Sequence, residues 1–124
     1  MRVQIRKVAA FTLVEVMVAV AIVGMLAGIS VPNALRAREN AQLKRVLNNL
    51  RLIQQSKSQW AFDTRRGTME VPTEADLAGY FSGNAVPAPV VGESYTYNDV
   101  ATPTTATTPV KLGTIPAGGA ISLD

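Results

Sequence analysis

The chain has 124 residues, room for one domain at most, and it contains neither Cys nor His. Disulfide frameworks, zinc sites built on Cys or His, and Ser-His-Asp or Cys-His nucleophiles are thereby excluded. The formal charge is +3, but Arg2, Arg6 and Lys7 all precede an apolar segment, and without them basic and acidic side chains balance, so the charge does not point to nucleic acid.

Residues 1–10 are short and basic, and residues 11–31 are almost wholly apolar. From Val8 to Val31 only Thr12, Glu15 and Ser30 are polar. A helix of about 20 apolar residues crosses a bilayer core, and cations at its N-terminal side favour a cytoplasmic N-terminus. Ala19-Val20-Ala21 offers an A-x-A signal-cleavage pattern, but that h-region would contain Glu15 and leave a second apolar stretch behind the cut. Glu15 is the anomaly. A carboxylate in a spanning helix costs up to about 3 kcal/mol, less toward the interface. It either snorkels to the nearby cytoplasmic face or has a partner.

The sequence Phe11-Thr12-Leu13-Val14-Glu15, behind a basic leader and ahead of an uninterrupted apolar run, resembles the N-terminus of type IV prepilins and type II secretion pseudopilins. The resemblance extends to about Phe62. It implies that a membrane peptidase cuts between Ala10 and Phe11 and methylates the new amine of Phe11. Ala10 departs from the Gly usual before that cut. The resemblance also implies that Glu15 pairs with the N-terminal amine of a neighbouring subunit during assembly, and that Pro32 interrupts the helix. Low dielectric strengthens such a pairing, and the expense of an unpaired carboxylate makes it select a register.

Pro32 lacks an N–H and clashes with the carbonyl of Gly28, so a kink is expected there. Gly24 and Gly28 form a G-x-x-x-G pair that permits close helix contact in lipid, although Gly is also common in membrane helices. Residues 32–66 read as an amphipathic continuation of the helix, with Leu43, Val46, Leu47, Leu50, Ile53 and Trp60 as its apolar stripe. Lys57 interrupts the stripe, its stem expected to lie along the apolar face. Eight basic and two acidic residues fall between Asn33 and Arg66, against one basic and six acidic beyond. Such clusters are ordinarily solvated faces; the opposite signs also suit contacts between subunits or, for the cations, anionic lipid and, less readily, DNA.

Residues 67–124 are rich in Gly, Pro and Thr. Arg65-Arg66-Gly67 reads as a helix stop. Thr73 and Asp76 resemble a capping box, which predicts a short helix over residues 74–81. Strands are predicted over residues 94–98 and 110–115, with a further one in the tail at 117–123. Residues 101–109 read as an exposed, mobile Thr/Pro-rich loop. So small a unit has little core of its own, and its sheet is expected to pack on the Val46 to Trp60 face. Glu93, Asp99 and Asp124 are candidate calcium ligands by resemblance, without EF-hand spacing; a solvated acidic surface is the simpler account, and no other cofactor is expected.

The resulting expectation is an α+β, type IV pilin-like fold: a long N-terminal helix, transmembrane in its first half, with a small C-terminal antiparallel sheet on its second half. The resemblance implies a non-enzymatic filament subunit, for a type II secretion pseudopilus or alternatively a pilus serving adhesion, motility or DNA uptake. A non-polymerising, single-pass membrane-anchored binding module is the other alternative. Implied partners are further copies and related minor subunits, the prepilin peptidase/methyltransferase, membrane lipid, and an inner-membrane platform with a cytoplasmic ATPase. No specific nucleic acid is expected. The precursor is expected in the bacterial inner membrane, and the assembled subunit in a periplasmic pseudopilus or an extracellular pilus.

Overall fold

A computed structural model describes residues 9–123. The leader ahead of Ala9, and Asp124, lie outside the described residues. The elements in chain order are α1 (Leu13–Thr64), α2 (Glu74–Ala78), β1 (Ser94–Thr96), β2 (Thr105–Thr107) and β3 (Ala120–Ser122). The chain divides into two compact units between Leu35 and Arg36.

In the first unit α1 is exposed throughout, and apolar except for Glu15, Ser30 and Asn33. This part of the helix is long and apolar enough to cross a membrane, and none of its most apolar window is buried within the protein. A Cβ built on Gly24 or Gly28 would meet nothing within 4 Å. Their faces are open. Pro32 lies inside α1, and the residues on both sides of it are helical.

In the second unit the helical sequence contains no Gly or Pro from Ala34 to Phe62, so strong helix formers propagate it. Its stripe meets the sheet as expected. Val46 and Leu50 pack with Ala106, Leu112 and Ile121, and Leu43 and Leu47 flank them. Ile53 and Trp60 pack with Leu77 of α2. Tyr95 touches both clusters and joins them into one core. The sheet is antiparallel in the order β1-β2-β3, with Tyr95 opposite Ala106 and Ala106 opposite Ile121.

Helix α1 ends by a Schellman motif. Arg66 donates its N–H to the Ala61 carbonyl, Arg65 donates to Phe62, and Arg65 itself has φ 53°. The left-handed residue is therefore Arg65, two positions ahead of the glycine that marked the stop in the sequence. The α2 capping box forms as expected, with Thr73 accepting from the Asp76 amide and Asp76 accepting from the Thr73 amide. The helix is shorter than predicted because the chain tightens after Ala78 into turns, with Tyr80 donating to Leu77 and Phe81 to Ala78.

Three expectations are corrected. The segment expected to be a mobile loop over 101–109 supplies β2, the central strand. Thr104, Ala106 and Thr108 are buried and alternate with more exposed neighbours, a period-2 pattern hidden inside a low-complexity composition. The strand expected at 110–115 is instead a tight reversal in which Leu112 and Ile115 exchange both N–H···O bonds at 2.9 Å. Gly113 turns it at φ 59°, where a Cβ would sit 3.2 Å from Asn40 Oδ1. Finally, Lys57, whose stem was expected to lie along the apolar face, is buried together with its ammonium.

Candidate assembly site at the start of the apolar helix

Ala9 to Thr12 have no regular structure and are exposed, so the Ala10–Phe11 peptide bond lies in open chain immediately before α1. Phe11 is 86% exposed. Thr12 is the residue before the first helical one, and Glu15 is the third residue of the helix. The two form a reciprocal capping box. Glu15 donates its amide to Thr12 Oγ1 at 3.2 Å, while Glu15 Oε2 accepts from the Thr12 amide at 2.8 Å and from Thr12 Oγ1 at 3.0 Å. Sequence reasoning left Glu15 either snorkelling or waiting for a neighbour. The structure gives it a partner three residues away in its own chain, and the T-x-x-E spacing was the signal available for it. Phe11 and Glu15 also line one concavity with Val16, Ala19 and Val20.

This arrangement has a direct consequence for charge. A free amine on Phe11 would stand beside a helix N-terminus, whose dipole disfavours a cation. The nearest compensating group in sequence is the Glu15 carboxylate. The capping box holds that carboxylate at the helix start, where a local or neighbouring ammonium can reach it.

Of the candidate calcium ligands, Asp124 lies outside the described residues, and Glu93 and Asp99 are each engaged within their own stretch of chain. Glu93 is almost fully buried and accepts from the Val90 and Val91 amides and from the Tyr95 hydroxyl. Burial acts to raise its pKa, but the Val91 and Val90 amides and the Tyr95 hydroxyl outweigh it, leaving the pKa below the usual carboxylate value. Tyr95 is pushed up to about 12, chiefly by burial. Asp99 accepts from the Thr102 amide and hydroxyl, closing its own turn. Among the described residues there is no group of three or more side chains able to hold a metal ion.

Lys57, missed as a buried group, fills an oxygen cage. Its Nζ donates to the Tyr97 carbonyl at 2.5 Å and the Thr102 carbonyl at 2.8 Å, with Gln54 Oε1 and Thr104 Oγ1 farther out. Burial lowers its pKa, and the charge of Asp99 opposes that shift. No local sequence signal marks this cage, because both carbonyls come from distant parts of the chain.

Comparison with known protein families gives a match at the N-terminus. Residues 5–31 fit the prokaryotic N-terminal methylation motif. The matched span includes Ala10, Phe11, Glu15, Gly24 and Gly28, and Pro32 lies one residue past it. No curated protein and no solved structure matches the chain. The match and the apolar helix support a prepilin-like, membrane-anchored precursor that is processed at its N-terminus and polymerises through that helix. The chain carries the N-terminal methylation motif of type IV pilin-like proteins, on a pilin-like fold of a long apolar helix packed at its far end against a small antiparallel sheet.

Proposed function

We propose that this protein is a structural, non-catalytic subunit of a type IV pilus-like filament, and specifically of a type II secretion pseudopilus. The observation that carries the reading is the capped carboxylate of Glu15 at the head of an exposed apolar helix, next to an exposed Ala10–Phe11 bond. In the membrane the Thr12 bonds lower the cost of the carboxylate, which would otherwise reach about 3 kcal/mol. Cleavage before Phe11 by a prepilin peptidase, followed by methylation, then places a cation within reach of Glu15. In a filament, that cation on an incoming copy neutralises the Glu15 of its neighbour. The precursor sits in the inner membrane with its N-terminus cytoplasmic, and a platform with a cytoplasmic ATPase drives extraction. Gly24 and Gly28, open on this chain, allow neighbouring helices to approach closely. The small, cysteine-free C-terminal unit favours the secretion pseudopilus over a surface pilus.

Expression of the chain with a type II secretion platform, followed by membrane fractionation and electron microscopy, tests the proposal. Wild type is expected to insert and form filaments, and Glu15→Val to insert without forming them. Filaments from Glu15→Val at wild-type yield would remove the assembly role of that carboxylate.

A further inference from the structure

The second unit carries its charge at opposite ends. From the end where α1 enters it to the middle of the helix, Arg36, Arg38, Lys44, Arg45 and Arg51 are exposed, and Lys111 is exposed beside Arg36. Arg36 and Lys111 line one concavity with Gly113, and Lys44 and Arg45 line another against Pro87 and Ala88. Glu39, a carboxylate on this flank, is engaged by the Gly113 amide. At the far end the signs reverse. Asp63, Glu74 and Asp76 are exposed around the C-terminus of α1 and the start of α2, and with Glu70 they outnumber the two cations there, Arg65 and Arg66. Glu70 is there too, already paired with Arg66 at 2.9 Å, the one salt bridge among the described residues. Phe62 and Met69, 84% and 89% exposed, lie at the same end.

These two surfaces cannot neutralise each other within one chain. Arg45 and Asp63 are 18 positions apart on the same helix, roughly 27 Å at 1.5 Å per residue. Screening reduces interactions beyond about 8 Å at physiological ionic strength. A solvated face explains either cluster alone; it does not explain why the complementary cluster, with unpartnered apolar side chains, sits at the opposite end of the same unit. We infer that the basic flank of α1, from Arg36 to Arg51, docks on the acidic α2 end of a second copy, head to tail. A basic flank meant for lipid or nucleic acid would need no acidic counterpart on its own molecule. Because the two surfaces differ, the contact is heterologous, and repetition extends it into a fibre instead of closing a dimer. Complementary charge then steers and registers incoming copies. The inference rests on the filament reading and adds a second contact to it, remote from Glu15.

The absence of Cys makes the test direct. In the full chain assembled with its platform, Asn48→Cys lies within the basic flank and Ala75→Cys lies between Glu74 and Asp76; both positions are exposed. Oxidation of the double variant is expected to give a ladder of linked copies, and neither single variant should give one. The reversal Lys44→Glu/Arg45→Glu should lower filament yield by at least about tenfold, and adding Asp63→Lys/Glu74→Lys should restore most of it. If wild type polymerises but the double-cysteine chain forms no ladder and the reversal leaves yield unchanged, the docking is overturned while the filament reading stands. Binding of wild type to anionic vesicles or duplex DNA, lost in a reversal that still polymerises normally, would overturn it in favour of that partner. No filament from wild type would overturn both.

Discussion

Replacing Lys57 by Met keeps most of the buried stem and removes only the ammonium. Hydrogen bonds to a charged group contribute about 1.5–3 kcal/mol each. The two short bonds, to the carbonyls of Tyr97 and Thr102, therefore set a gross loss of about 3–6 kcal/mol. Against this, removing a buried charge recovers part of a desolvation cost that reaches several kcal/mol; the same burial lowers the Lys57 pKa. The sign is decided by what remains. Methionine offers no donor, so both carbonyls lose their short partner and the turn between them loses its anchor on α1. We expect a net destabilisation of about 2–3 kcal/mol. For a unit of this size that is a fall of about 10–20 °C in melting temperature. The single Trp, Trp60, lies in the core of this unit and reports its unfolding by fluorescence in the detergent-solubilised chain. Lys44→Met, at an exposed position, is the control and should change stability by less than about 0.5 kcal/mol. A Lys57→Met chain as stable as that control would show that the ammonium does not clamp the Tyr97 to Thr104 segment.

Other outcomes follow from the same core. Trp60→Ala should cost about 3–5 kcal/mol in denaturant unfolding, because the ring is buried against Leu77 and Ile53. Arg65→Gly should stabilise the unit by about 1 kcal/mol in the same assay, since Gly adopts the left-handed conformation without the Cβ penalty. Acid unfolding should have a component from Glu93. Its folded pKa lies below the usual 4.5, so the unfolded chain binds the proton first, and the stabilisation, complete above the unfolded value, is lost as pH falls through the folded one. Glu93→Gln should therefore flatten the acid limb of a stability-pH curve.

The long helix and its buried stripe were legible because a 3.6 period repeats over many turns and averages out exceptions such as Lys57. The cap of α2 was legible because Thr73 and Asp76 carry it locally. The sheet was less so. Each strand has three residues, too few for a period to stand out, and β2 lies in a run of Thr and Pro whose composition resembles a loop. The reversal at Leu112 borrows its stability from Glu39 and the α1 face, contacts that the residues around Gly113 do not announce. Lys57 and Glu93 are buried polar groups satisfied by backbone groups, and a sequence does not show where its backbone oxygens and amides converge. At the N-terminus the motif residues were evident. The role of Thr12 as the carboxylate's own-chain partner follows from the T-x-x-E spacing but emerged only with the geometry.

Mass spectrometry of the N-terminus of the chain recovered from assembled material addresses the central claim most directly. Cleavage between Ala10 and Phe11 with an N-methylated Phe11 is the predicted result. A chain that still begins at Met1, or one that begins shortly after Ala21 by ordinary signal cleavage, would contradict it.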